Sequence, residues 1–104
     1  MSNIQNNHSP ATDDLFNAIL TLKNPEECYQ FFSDLLTVQE LITFSQRFQA
    51  ARLLAEGKNY DAVRQQLSIS SSTITRINRE LCYGAGGYRL ALDRLKDAPQ
   101  DPQP

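Results

Sequence analysis

The chain has 104 residues, a formal net charge of −2 and 40% hydrophobic residues, which indicates one small globular domain with short tails. It contains no apolar run near the roughly 18 residues of a membrane span, and its N-terminus lacks the features of a secretory signal. Cys28 and Cys82 form neither a metal motif nor a disulfide framework, so we expect reduced thiols in a cytoplasmic protein.

The small net charge hides an uneven distribution along the chain. Residues 1–56 carry three basic and seven acidic side chains, whereas residues 57–96 carry seven basic and three acidic ones. Positive charge concentrated in one region is the electrostatic footprint of a nucleic-acid-binding surface. A solvated surface of mixed charge is the alternative interpretation.

Two helices are predicted after a flexible arm at residues 1–11. Thr12 is expected to cap the first helix, whose first turn is acidic. Asn24 and Pro25 should begin the second helix, because asparagine is a good cap, proline suits the first helical position and Glu27 follows three residues after the cap.

A third, longer helix is predicted between a capping box at Thr37 and Glu40 and a stop at Gly57. Its apolar residues occupy more than one side: Val38, Leu41, Ile42, Phe44, Phe48, Ala51, Leu53 and Leu54. Such a helix must be covered on several faces, and this short chain has few other helices to cover it. We therefore expect a homodimer in which the first helices join the interface.

Residues 60–82 predict a helix-turn-helix within a helical domain that spans residues 12–96. Each of its two helices has one apolar stripe, formed by Val63 and Leu67 on the first and by Ile74, Ile77 and Leu81 on the second. Ile69 falls in the turn, where it can fill the gap between the helices.

The polar residues of this segment suit a helix whose N-terminus enters a DNA major groove. We expect Ser71, Ser72 and Thr73 at base edges or the nearest phosphates, and Arg76 and Arg79 deeper in the groove or on its wall. The full predicted DNA-binding set is Lys58, Arg64, Ser71, Ser72, Thr73, Thr75, Arg76 and Arg79. Two alternatives stay open: a structural ion pair for Arg76, for instance with a carboxylate of the dimer partner, and helix capping for the hydroxyl run, which is expected of one of its members in any case.

The last predicted element is a short amphipathic helix built on Tyr88, Leu92 and Leu95, which follows a flexible, glycine-rich joint at residues 83–87. Residues 97–104 hold three prolines and two acids, and should form a disordered tail. The chain is thus predicted to be all-α, with five to six short helices and no strand.

Five segments carry a family resemblance: LLT at 35–37, QRF at 46–48, LAEGK at 54–58, STITR at 72–76 and YGAGGYRL at 83–90. From about Leu15 to Leu95 the chain resembles the tryptophan repressor superfamily, and the last segment is specific to its YerC/YecD-like group. The resemblance implies an intertwined homodimer and a DNA-binding transcriptional regulator, expected to be a repressor.

The resemblance also implies a corepressor pocket, in which the indole of tryptophan lies between two arginines. The matching positions are Arg47 and Arg76, and Thr37 matches a residue that lines the pocket. The next position departs from the pattern, because Ile77 stands where the tryptophan repressor has glycine. A branched side chain there would fill the space of the ring, so we expect no binding of L-tryptophan.

Three other functions are weighed against this prediction. The helix-turn-helix could be a protein-docking surface, although its polar face argues against this because interface centres favour aromatic and apolar residues. A ligand other than tryptophan could act as effector. An enzyme has the least support, since the sole histidine lies in the arm and no residues form a catalytic, metal or cofactor site.

Overall fold

The computed structural model describes residues 4–97, and every regular element in that part is helical. A 3-10 turn at Ile4–Asn6 precedes six α-helices: α1 (Pro10–Ile19), α2 (Pro25–Leu35), α3 (Val38–Ala55), α4 (Tyr60–Leu67), α5 (Ser71–Tyr83) and α6 (Gly87–Asp97). The all-α prediction is confirmed. Residues 1–3 of the predicted arm and 98–104 of the predicted tail lie outside the described residues. The chain divides into two units, the first ending at Ser45 and the second beginning at Gln46.

The predicted caps of α2 and α3 are confirmed by their hydrogen bonds. At α2 the Glu27 amide donates to Asn24 Oδ1 at 2.9 Å. At α3 the Glu40 amide donates to Thr37 Oγ1 at 3.0 Å, and the Thr37 amide donates to Glu40 Oε1 at 2.9 Å. Local side chains thus satisfy backbone donors that a helix start leaves without partners.

The predicted start of α1 at Thr12 is wrong, because Ser9 caps this helix three residues earlier. Ser9 Oγ accepts from the Thr12 amide at 3.1 Å, and Pro10 occupies the first helical position. Proline has no amide hydrogen and its φ suits a first helical turn, so the Ser-Pro pair sets an earlier start than Thr12 alone. The predicted flexibility of the arm stays a prediction.

Helix α3 ends as predicted, at a left-handed glycine. Gly57 has φ of 92°, its amide donates to the Leu54 carbonyl at 3.0 Å, and the Lys58 amide donates to the Leu53 carbonyl at 3.0 Å. These paired bonds form a Schellman motif, in which glycine adopts the positive φ without steric cost. The motif redirects the chain toward α4.

The second unit contains the hydrophobic core. Its buried cluster joins the second half of α3 to α4 and α5 through Ala50, Ala51, Leu53, Val63, Ile74 and Ile77. Helix α4 packs on α5, and α5 packs on α6, where Leu92 is buried. The predicted apolar stripes of the helix-turn-helix therefore do face a core.

The first unit has no such core among its described residues. No side chain of residues 4–45 is fully buried, and Leu20 and Val38 are 80% and 77% exposed. Large apolar side chains that are this exposed gain little of the stabilisation that burial would give them.

Among the helices of residues 4–97, none combines the length and the hydrophobicity that a membrane span requires.

Gly84, which follows α5, leaves no room for a side chain. A Cβ at this position would lie 2.5 Å from the Glu80 carbonyl oxygen, whereas a Cβ at Gly87 would meet nothing within 4 Å. We expect Gly84→Ala to lower the free energy of unfolding by about 1–3 kcal/mol, because the backbone must shift. The matched control, Gly87→Ala, should change it by less than about 1 kcal/mol and in the stabilising direction. Urea unfolding followed by circular dichroism measures both, and equal losses would contradict the steric argument.

Candidate nucleic-acid interface

Helices α4 and α5 lie where the helix-turn-helix was predicted, and a tight turn joins them. Ser68 ends α4 in the left-handed conformation, with φ of 56° and ψ of 44°. Ile69 follows and packs, partly buried, against the core cluster, as its sequence position indicated. The turn thus sets the orientation of α5 through backbone conformation and one apolar anchor.

The start of α5 is capped by Ser70, so the expectation that one of Ser71, Ser72 and Thr73 caps this helix is wrong. Ser70 Oγ accepts from the Thr73 amide at 3.2 Å and lies 2.8 Å from Thr73 Oγ1 and 3.2 Å from Ser72 Oγ. Thr73 is half-buried. A serine before a helical run is a capping signal, but the run of four hydroxyl residues at 70–73 concealed which one caps.

The other hydroxyls of the predicted set are exposed on the first two turns of α5. Thr75 Oγ1 donates to the Ser71 carbonyl at 2.9 Å, a bond within the helix. Ser71 and Ser72 lie at the first two helical positions, where a helix terminus presents backbone amides and positive dipole. This end of α5 therefore suits contact with a negatively charged group.

The two arginines of α5 lie on the face opposite its core stripe. Ile74, Ile77 and Leu81 are buried, whereas Arg76 and Arg79 are exposed. At 100° per residue, Ser72, Arg76 and Arg79 fall within about 60° of one another. Neither arginine forms an ion pair with a carboxylate of residues 4–97. The alternative ion pair of Arg76 with a carboxylate of a dimer partner stays a prediction.

The remaining predicted phosphate contacts, Arg64 and Lys58, lie on and before α4. Arg64 Nη2 is 2.9 Å from Asp61 Oδ1, and the two side chains are 49% and 79% exposed. An exposed pair of this kind contributes little stability, so a phosphate could replace the carboxylate at small cost. Lys58 is exposed and its side chain bonds to no other described residue.

The residues matched to the corepressor pocket are divided between the two units. Thr37 caps α3 in the first unit, while Ile77 is only 3% exposed within the core cluster of the second. Tyr88 packs against that same cluster. Burial raises the pKa of the Tyr88 phenol, the charges of Arg47 and Arg76 lower it, and Glu80 raises it, with a net upward shift. The charges of Arg47 and Arg76 thus both act on the phenol of Tyr88, an aromatic residue of the chain itself.

Comparison with known proteins identifies relatives of the whole domain. The family model described as Trp repressor protein matches residues 11–96. The uncharacterized protein YerC of Bacillus subtilis is 47% identical over 85 residues, which cover 82% of each protein. The crystal structure of a "putative Trp repressor" from Staphylococcus aureus, 42% identical, gives a TM-score of 0.86 over 96% of this chain and 100% of that one.

A TrpR-like protein from Eubacterium eligens, 39% identical, gives a TM-score of 0.82 over 88% of this chain and 95% of that one. Among residues 4–97, no three histidine, cysteine or acidic side chains group as a metal site would require. The likeness covers both units and includes the helix-turn-helix. The chain belongs to the Trp repressor family, and within it resembles YerC.

Proposed function

We propose that this protein is a transcriptional regulator, expected to repress, that binds specific DNA sequences as a homodimer. The outward face of α5 carries the proposal, because Ser72, Arg76 and Arg79 share one face opposite the buried stripe. Arginines in a major groove can read guanine, and cations on the groove wall bind phosphate. A regulator of the chromosome would act in the cytoplasm.

The homodimer is supported by the first unit, whose described residues bury no side chain completely. A second copy would cover the exposed apolar residues of α1, α2 and the start of α3. Two-fold symmetry would then present two α5 helices to half-sites about one DNA turn, or about 34 Å, apart.

We further propose that L-tryptophan is not the corepressor. Ile77 is buried in the core, so the volume that a glycine would leave open is filled. Tyr88 packs against this core, and the charges of Arg47 and Arg76 act on its phenol. An effector of other chemistry remains compatible with the proposal.

The test combines binding to a random duplex with selection of genomic fragments, each with and without L-tryptophan. A dimer that neutralises about six phosphates should lose about a thousandfold in affinity between about 50 and about 200 mM salt. We expect a palindromic motif to be enriched equally with and without L-tryptophan. Absence of salt-dependent binding would favour the protein-docking alternative, and enrichment only with tryptophan would contradict the proposed independence.

Arg79→Ala tests the interface directly, and Arg94→Ala on α6 is its charge-matched control. Both arginines are exposed and lack an ion pair among residues 4–97. We expect Arg79→Ala to raise Kd at least about tenfold, the cost typical of a lost arginine contact with DNA. Arg94→Ala should change Kd by less than about twofold. Equal losses in fluorescence anisotropy would indicate a general charge effect and contradict the assignment of the face.

A further inference from the structure

Tyr83, the last residue of α5, is the most exposed large apolar or aromatic side chain of residues 4–97, at 84%. The backbone at this position is held in place, since the Gly84 amide donates to the Glu80 carbonyl at 2.9 Å. The backbone at Gly84 passes so close to the last turn of α5 that a Cβ there would lie 2.5 Å from the Glu80 carbonyl oxygen. The exposure of Tyr83 is therefore a property of a formed helix end.

Tyr83 lies on the same face of α5 as the arginines of the candidate interface. It follows Arg79 by four residues and Arg76 by seven, spacings that return to one side of a helix. The core side, formed by Ile74, Ile77 and Leu81, is opposite. A molecule that binds to the arginines of this face would therefore also lie near the phenol of Tyr83.

The length of α5 indicates which part of DNA the phenol would meet. Tyr83 is eleven residues beyond Ser72, a rise of about 16 Å, whereas the major groove is about 12 Å wide. If the helix start is in the groove, Tyr83 lies beyond the base edges, at the sugar-phosphate wall. Tyrosine hydroxyls are among the side-chain groups that bind phosphate oxygens.

We propose that the Tyr83 hydroxyl donates a hydrogen bond to a DNA phosphate on the far wall of the groove that α5 enters. This inference rests on the proposed function and adds a contact that positions the recognition helix. The contact is sequence-independent and carries no charge of its own. Its loss should weaken binding to every duplex without changing the number of released counterions.

Tyr83→Phe tests this proposal, because it removes the hydroxyl and keeps the ring. We expect Kd to rise about tenfold on both the selected motif and a random duplex, as for a lost hydrogen bond to a charged group. The slope of log Kd against log salt should stay unchanged, whereas Arg79→Ala should lower it. The control is again Arg94→Ala on α6, an exposed side chain outside both the α5 face and the proposed dimer interface, which should bind DNA as the unaltered protein does.

Phosphate-ethylation interference on the selected motif locates the contact. At one phosphate in each half-site, ethylation should weaken binding of the unaltered protein but leave binding of Tyr83→Phe unchanged. Unchanged affinity of Tyr83→Phe overturns the inference and leaves the proposed function standing, whereas absence of DNA binding by the unaltered protein overturns both. If sedimentation equilibrium showed that Tyr83→Phe changes the oligomeric state, the phenol would belong to a protein interface, and the inference would also be overturned.

Discussion

The double substitution Val38→Lys and Ile42→Lys should convert the dimer to monomers and abolish tight DNA binding. These side chains lie one turn apart at the start of α3 and are 77% and 44% exposed in the single chain. Covering them with a second copy would stabilise the dimer by about 3–6 kcal/mol, and buried lysines would oppose association. We expect the association constant of the dimer to fall about 100- to 10,000-fold.

Sedimentation equilibrium measures this change, and the thermal midpoint of the unaltered protein should rise with its concentration. Gln39→Lys is the control, because it adds a charge at an exposed polar position of the same helix. A double variant that remains dimeric at micromolar concentration would contradict the proposed interface. If the monomer also loses helical circular dichroism, the first unit depends on its partner for stability.

Ile74→Ala should cause the largest loss of stability of any single truncation in the helix-turn-helix. Ile74 has no exposed surface and lies in the cluster that joins α3, α4 and α5. Removing three carbons from such a site costs about 2–5 kcal/mol, through lost burial and the cavity that remains. A small domain is stable by about 5–15 kcal/mol, so the recognition helix would lose much of its support.

Urea unfolding gives the free-energy difference when the same dependence of the unfolding free energy on urea concentration is used for both proteins. Ile74→Val provides the matched comparison. Removing only one carbon should cost about 0.5–1.5 kcal/mol. A loss below about 1 kcal/mol for Ile74→Ala would show that the cluster tolerates a cavity. It would also show that α5 does not depend on this anchor for its orientation.

Elements that depend on local interactions were predictable from the sequence. The cap at Asn24, the box of Thr37 with Glu40 and the stop at Gly57 each act within a few residues, so sequence spacing alone indicates them. The apolar spacing of Ile74 and Ile77 likewise predicted their burial. The error at the start of α1 is of the same local kind, because Ser9 and Pro10 formed the stronger signal.

The candidate site was predictable only in part. The arginine face of α5 follows from helical spacing, but the capping role of Ser70 depends on where the turn ends. The exposure of Tyr83 depends on the helix continuing to that residue before Gly84. Neither the spacing nor the charge of the sequence distinguished these positions from their neighbours.

The sequence by itself thus determined the helices, the ends of α2 and α3 that local caps define, and the polar face of α5, because backbone hydrogen bonding and helical periodicity operate over a few residues. Only the tertiary structure decided that the charges of Arg47 and Arg76 act on the phenol of Tyr88, since these residues belong to three different helices. The tertiary structure also decided which apolar residues are buried. The second unit buries its stripes while residues 4–45 do not, because burial depends on what packs against a helix as well as on its pattern.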